Sequence, residues 1–141
     1  TYQYFDMNTA GVPVSTKPVV NGYKAKVSIK NPDFNNEINS TVNLNNLSIS
    51  TSSQYSKIIK IKSDSFSHIL NPKQKEFKSK KNISISVISN DPIYSDAIST
   101  SLQAMPLEKA LKFLKEAKDI KAIVLKRAKN RETKTLFNNF Q

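Results

Sequence analysis

The stretch YKAKVSIK, residues 23–30, puts Tyr23, Ala25, Val27 and Ile29 on one side of an extended backbone and Lys24, Lys26, Ser28 and Lys30 on the other. Side chains of a strand alternate between its two faces, so apolar residues at a strict period of two define a half-buried strand. A helix would scatter the same four apolar residues over opposite sides.

Three further stretches behave similarly. STVNLNNLSIS alternates through Val42 and Leu44, slips at Asn45 and Asn46, and resumes at Leu47 and Ile49. That slip calls for a bulge or a tight turn at the asparagine pair. SKIIKIKS sets Ile59 and Ile61 opposite Lys60 and Lys62, and NISISVIS sets Ile83, Ile85 and Val87 opposite Ser84 and Ser86. Polar turns such as NPDFNN separate these strands where βαβ units would have helices. The fold class expected is therefore α+β, with a small antiparallel β-sheet or β-sandwich over residues ~12–90.

From Pro106 the period becomes helical. Leu107, Ala110, Leu111, Leu114 and Ala117 recur at three and four, Pro106 suits a first turn, and Glu108 lies near the positive end of the helix dipole. This C-terminal amphipathic helix is expected to end near Lys118. Beyond it, Ile120, Ala122 and Val124 alternate like a final strand, while Phe113, Ala117, Ile120 and Val124 also continue a helical stripe. The pattern alone leaves both readings open over residues 119–128.

The organisation read from this is an extended arm over 1–22, broken by Gly11, Pro13, Pro18 and Gly22, a single globular α+β domain over 23–128, and a polar tail over 129–141 with an apolar end. A chain of 141 residues can bury a core without staples. It has no cysteine, so thiolate chemistry and disulfides are excluded. Its single histidine, His68, reads as a surface or turn residue, and with two glycines in all there is no phosphate-cradling loop and no Gly-x-Ser-x-Gly elbow. No pair of acids is singled out by spacing. On this reading there is no catalytic, cofactor-binding or metal-binding residue, no cofactor, and no enzyme.

The net charge of +11 makes contact with polyanions a physical expectation. The candidates are Lys73, Lys75, Lys78, Lys80 and Lys81 in the stretch NPKQKEFKSKK, and Lys126, Arg127, Lys129 and Arg131 near the end. Of the 22 basic residues only Arg127 and Arg131 are arginine, which suits phosphate neutralisation better than base readout. The arms carry Val12, Val14, Val19, Val20, Leu136, Phe137 and Phe140, candidates for docking onto neighbours by strand addition or apolar contact.

The function expected is thus a non-enzymatic structural or docking module of a larger assembly of the cell-envelope or secretion type, with other protein subunits as partners. The alternative is a lysine-rich RNA/DNA-binding component of a ribonucleoprotein that contacts the phosphate backbone without sequence readout. Peripheral contact with an anionic membrane surface is a further option, and no apolar run reaches the roughly 18–20 residues of a membrane span. A chain that starts at Thr1 reads as processed, which favours an extracytoplasmic over a cytoplasmic location. No stretch carries a family signature.

Overall fold

The computed structural model describes residues 4–5, 14–15, 24–32, 38–53, 58–61, 64–71, 73, 83–128 and 133–140. In chain order the elements are β1 (Tyr4–Phe5), β2 (Val14–Ser15), β3 (Lys24–Lys30), β4 (Ile38–Asn45), β5 (Ser48–Ser53), β6 (Ile58–Ile61), β7 (Asp64–Ser67), β8 (Ile83–Ser89), α1 (Pro92–Ala104), α2 (Leu107–Glu116), β9 (Lys121–Arg127) and β10 (Thr133–Asn138). The fold is α+β with antiparallel pairing throughout.

A four-stranded sheet in the order β10-β9-β8-β5 carries the structure. The alternation seen in the sequence decides its two faces. Ile83, Ile85 and Val87 of β8 join Ala122 and Val124 of β9 under the helices, where Leu102, Ala110 and Leu114 complete one buried cluster. Ile88, Ile123 and Leu125 project to the other face, where they meet Ile49 and the inner residues Ile29 and Leu44 of the β3-β4 hairpin. All seven residues of β8 are buried, because this strand is covered by helices on one side and by the hairpin on the other.

The hairpin follows the expected phase. Val27 pairs with Val42 and Ile29 with Ser40, and Lys26, Ser28 and Lys30 are exposed. The slip at the asparagine pair is a tight connection from β4 to β5. Asn46 takes φ 51, in the left-handed region that asparagine tolerates better than most residues. Asn46→Ala is therefore expected to destabilise the protein by about 1–2 kcal/mol, and Asn46→Gly not at all, as read by urea denaturation.

Several elements differ from the expectation. The stretch before Pro106 forms a second helix, α1, whose start has a plain local cause. The Asp91 carboxylate accepts hydrogen bonds from the backbone N–H groups of Ile93 (2.8 Å) and Tyr94 (3.3 Å), and Pro92 occupies the first turn. Residues 121–127 take the strand reading that the pattern left open, and it is the tail, read as polar with an apolar end, that adds a further strand, β10, paired with it. Asn139 fastens that end: its Oδ1 accepts from the Ala122 N–H at 2.6 Å and its Nδ2 donates to the Ile120 carbonyl at 3.3 Å. Ile59, expected on an apolar face, is 52% exposed, because among the described strands β6 pairs only with the short β7 and is not part of the four-stranded sheet.

Candidate functional site

The contact between α1 and the sheet is unusual for what it buries. Ser95 and Ser99, one turn apart, lie fully buried on the face of α1 that meets β5 and β8. The register of β5 on β8 pairs Ser48 with Ser89, Ser50 with Val87 and Ser52 with Ile85, so these three β5 serines share the sheet face under the helices. The result is a seam of hydroxyls where an apolar interface would be ordinary.

At the N-terminal end of the seam the hydroxyls form a knot. Ser48 Oγ lies 2.7 Å from Ser95 Oγ and donates to the Ser89 carbonyl at 3.0 Å. Ser89 Oγ lies 2.8 Å from Ser95 Oγ, and the two hydroxyl oxygens lie 2.7 and 3.0 Å from the Asp91 carbonyl, so their hydrogens are shared among these acceptors. This ties the first turn of α1 to the ends of two strands.

One turn further on, the seam reaches the surface. Ser50 Oγ donates to Asp96 Oδ1 at 2.8 Å. Ser52 Oγ lies 3.0 Å from both Ser99 Oγ and Thr100 Oγ1, and Ser99 Oγ donates to the Asp96 carbonyl at 3.1 Å. Asp96 is half-buried and Thr100 exposed, whereas Ser50, Ser52 and Ser99 are buried. Four residues apart on one helix, Asp96 and Thr100 stand as neighbours with Cβ atoms about 5–6 Å apart. They form a ledge of one carboxylate and one hydroxyl backed by serines.

The donor set is oxygen only. Among the described residues no group of three or more His, Cys, Asp or Glu side chains converges. A soft or imidazole-seeking metal has nothing to bind here, whereas a hard cation of the Mg²⁺, Mn²⁺ or Ca²⁺ class matches carboxylate and hydroxyl oxygens. With one carboxylate the ledge fits a cation that takes its remaining ligands from water and from a substrate's phosphates, the usual habit of Mg²⁺.

At the start of α1 a cleft of about 590 Å³ opens beside Ser89, lined by Leu47, Ile88, Tyr94, Lys118, Asp119 and Lys121. Its Asp91 carboxylate is committed to capping α1. The convergent oxygens lie at the ledge.

Sequence positions 6–124 match the family model described as the ApbE family. The chain belongs to the ApbE family. Among solved structures, the crystal structure of the ApbE protein from Thermotoga maritima is similar to it with a TM-score of 0.64 at 18% sequence identity, over 89% of this chain and 40% of that one. That likeness establishes the ApbE fold, and the chain spans 40% of the neighbour's length. No curated protein matches the sequence significantly.

Membership of ApbE, a family of flavin transferases, overturns the expected function. Neither the non-enzymatic structural or docking module of a cell-envelope or secretion-type assembly nor the RNA/DNA-binding component stands, and the expectation that the chain is no enzyme falls with them. The seam itself was not legible from the sequence. Its groups come from two segments some 46 residues apart, Ser50 and Asp96 for example, and no local spacing joins them.

The residues singled out from sequence are placed as follows. Lys73 is exposed, its N–H bonded to Asn71 Oδ1 at 2.9 Å, Lys126 is exposed on β9, and Arg127 ends that strand half-buried. Lys75, Lys78, Lys80, Lys81, Lys129 and Arg131 lie outside the described residues, as do Val12, Val19 and Val20. Val14 is in β2. Leu136 and Phe137 pack against the helix-side cluster and Phe140 against the hairpin-side cluster. His68 is exposed, just after β7. None of the described ones belongs to the ledge. The signals that mark the ledge are Ser95 and Ser99, and Asp96 and Thr100, each pair at i,i+4 behind the helix start NDP.

Proposed function

We propose that this chain forms part of a flavin transferase and that the Asp96–Thr100 ledge is where it handles the phosphates of a flavin nucleotide. The observation that carries the reading is the acidic, oxygen-only ledge, which lies inside the segment matched to the family. A carboxylate repels a phosphate, so the two meet only through a cation. Asp96 and Thr100 would hold a divalent ion, which on binding neutralises phosphate charge and polarises the phosphoryl oxygens.

The chain's own residues do the rest of the local work. The hydroxyl knot fixes the start of α1 against β5 and β8, and so sets where Asp96 stands relative to the sheet. Ser50 orients the carboxylate. Such holding of charged groups in place ahead of the reaction is the chief catalytic device in phosphoryl chemistry.

The test is to titrate the protein with flavin adenine dinucleotide, with and without Mg²⁺, following flavin fluorescence. The same mixtures, incubated with an acceptor protein, are then run on denaturing gels. The expected result is Mg²⁺-dependent binding and a fluorescent band that survives denaturation. No flavin binding in either condition, with the protein folded, would reject the reading.

A further inference from the structure

The solvent side of α2 collects charge of one sign. The apolar face of this helix is spent on the core, where Ala110 and Leu114 are buried and Leu107 and Leu111 pack against the cluster that holds Ala122 and Val124 of β9. Lys109, Lys112 and Lys115 are exposed and follow at intervals of three, so each stands beside the next on the helix surface. Phe113, 38% exposed, is the i,i+4 neighbour of Lys109.

The sheet under α2 adds two lysines. Ile83 belongs to the helix-side cluster, Lys126 pairs with Ile83 in the register, and Lys134 of β10 pairs with Lys126, so both lysines stand on the helix side of the sheet. Both are exposed. Like charges directly opposite in an antiparallel pair destabilise it. Lysine on an edge strand guards against unwanted pairing, which accounts for Lys134 but not for Lys126, whose strand has a neighbour on each side. Ten helical residues rise about 15 Å and residues 121–126 span about 17 Å, so β9, returning beneath α2, brings this pair level with the start of the helix, where Lys109 stands. Five exposed lysines against the exposed Glu108 and Glu116 leave this side with a net charge of +3.

We propose that this side of the molecule, α2 together with the Lys126–Lys134 pair, docks on an anionic membrane surface with Phe113 reaching into the headgroup layer. Phosphate-bearing headgroups offset the repulsion between the opposed lysines, and an aromatic ring among lysines suits the boundary between headgroups and acyl chains. Because the core occupies the apolar face of α2, the contact is peripheral and electrostatic, and salt weakens it. The Asp96–Thr100 ledge lies on α1 over β5, toward the opposite edge of the sheet, so docking here is independent of how a flavin is handled.

The probe is phosphatidylcholine vesicles with and without an equal share of phosphatidylglycerol, sedimented with the protein at low and at high salt. The wild type is expected to sediment with the anionic vesicles at low salt, to be released at high salt, and to ignore pure phosphatidylcholine. Each lysine near an anionic surface strengthens binding roughly five-fold, so Lys109→Gln/Lys112→Gln is expected to weaken it roughly 30-fold. Phe113→Ser is expected to cause a smaller loss. Lys126→Gln/Lys134→Gln is expected to weaken binding as much as the α2 variant while melting no lower than the wild type, since the opposed charges are gone. It carries the test should the α2 variant fail to fold.

The control is Lys26→Gln/Lys30→Gln on the exposed face of the β3-β4 hairpin, across the sheet from α2, expected to change binding by no more than a few-fold. An equal loss in this hairpin variant would reduce the attraction to overall charge and overturn the proposal. So would an absence of binding to the anionic vesicles, or tighter binding to a duplex oligonucleotide than to the vesicles, which would assign the lysines to nucleic acid.

Discussion

Asp96→Asn is expected to lower flavin transfer on the order of 10²–10³-fold, the several kcal/mol that loss of a charged metal ligand removes from the transition state. The substitution is nearly isosteric, and the amide oxygen can still accept from Ser50 Oγ, so the seam behind it keeps its bonds. The melting temperature is accordingly expected to move by only a few degrees, since a half-buried surface group away from the core contributes little to stability. Activity and stability thus separate in one variant. Transfer at a third or more of the wild-type rate, measured by covalent flavin fluorescence, would show that Asp96 is not the group that handles the phosphates.

Ile85→Ala is expected to have the largest effect on stability, a loss of about 2–5 kcal/mol in urea denaturation. Ile85 is 0% exposed in the strand that is covered on both sides, between Ser52 of β5 and Val124 of β9 in the register. Its side chain lies in the helix-side cluster, where the surrounding sheet and helices leave little room to collapse into the cavity. Ile59→Ala removes the same atoms from a residue that is 52% exposed, and is expected to cost no more than about 0.5 kcal/mol. The contrast tests whether burial, rather than β-propensity, gives these isoleucines their weight.

The strands and the second helix were legible because their burial is apolar and periodic. Val27 and Ile29 face inward and Lys26 and Lys30 outward, as the alternation required. In α2 the buried residues are Ala110 and Leu114, one turn apart. Helix α1 was hidden for the opposite reason. Its buried face begins with Ser95 and Ser99, while Ile93 at 80% exposure and Tyr94 at 38% point outward, so the apolar pattern runs against the true one. Only the cap Asp91 and Pro92 announce it. The strand over 121–127 could not be separated from a helical stripe by period, because Ala122, Ile123, Val124 and Leu125 are buried on both faces and alternation disappears.

The site was hidden by composition. Serines occur throughout the chain, nothing local distinguishes Ser50 and Ser52 from the others, and Ser99 has only its i,i+4 spacing from Ser95. They acquire meaning from the β5-β8 register and from the cap that starts α1 at Asp91, two facts of tertiary structure that bring them within hydrogen-bond distance. Family membership, in turn, places the chain in a family that no histidine, cysteine or paired carboxylate in the sequence suggested.

The hydroxyl seam also bears on how the site responds to temperature. Apolar surface released into water raises the heat capacity, whereas polar surface lowers it. The first two turns of α1 rest on Ser48, Ser50, Ser52 and Ser89 as well as on the apolar cluster that Ile98 joins, so lifting them would wet hydroxyls together with apolar surface. Such an opening is expected to carry a smaller heat-capacity change for its area than exposure of the apolar core, and so a flatter dependence of its free energy on temperature. The end of the helix that holds Asp96 is gripped by directional bonds on a scaffold held by area.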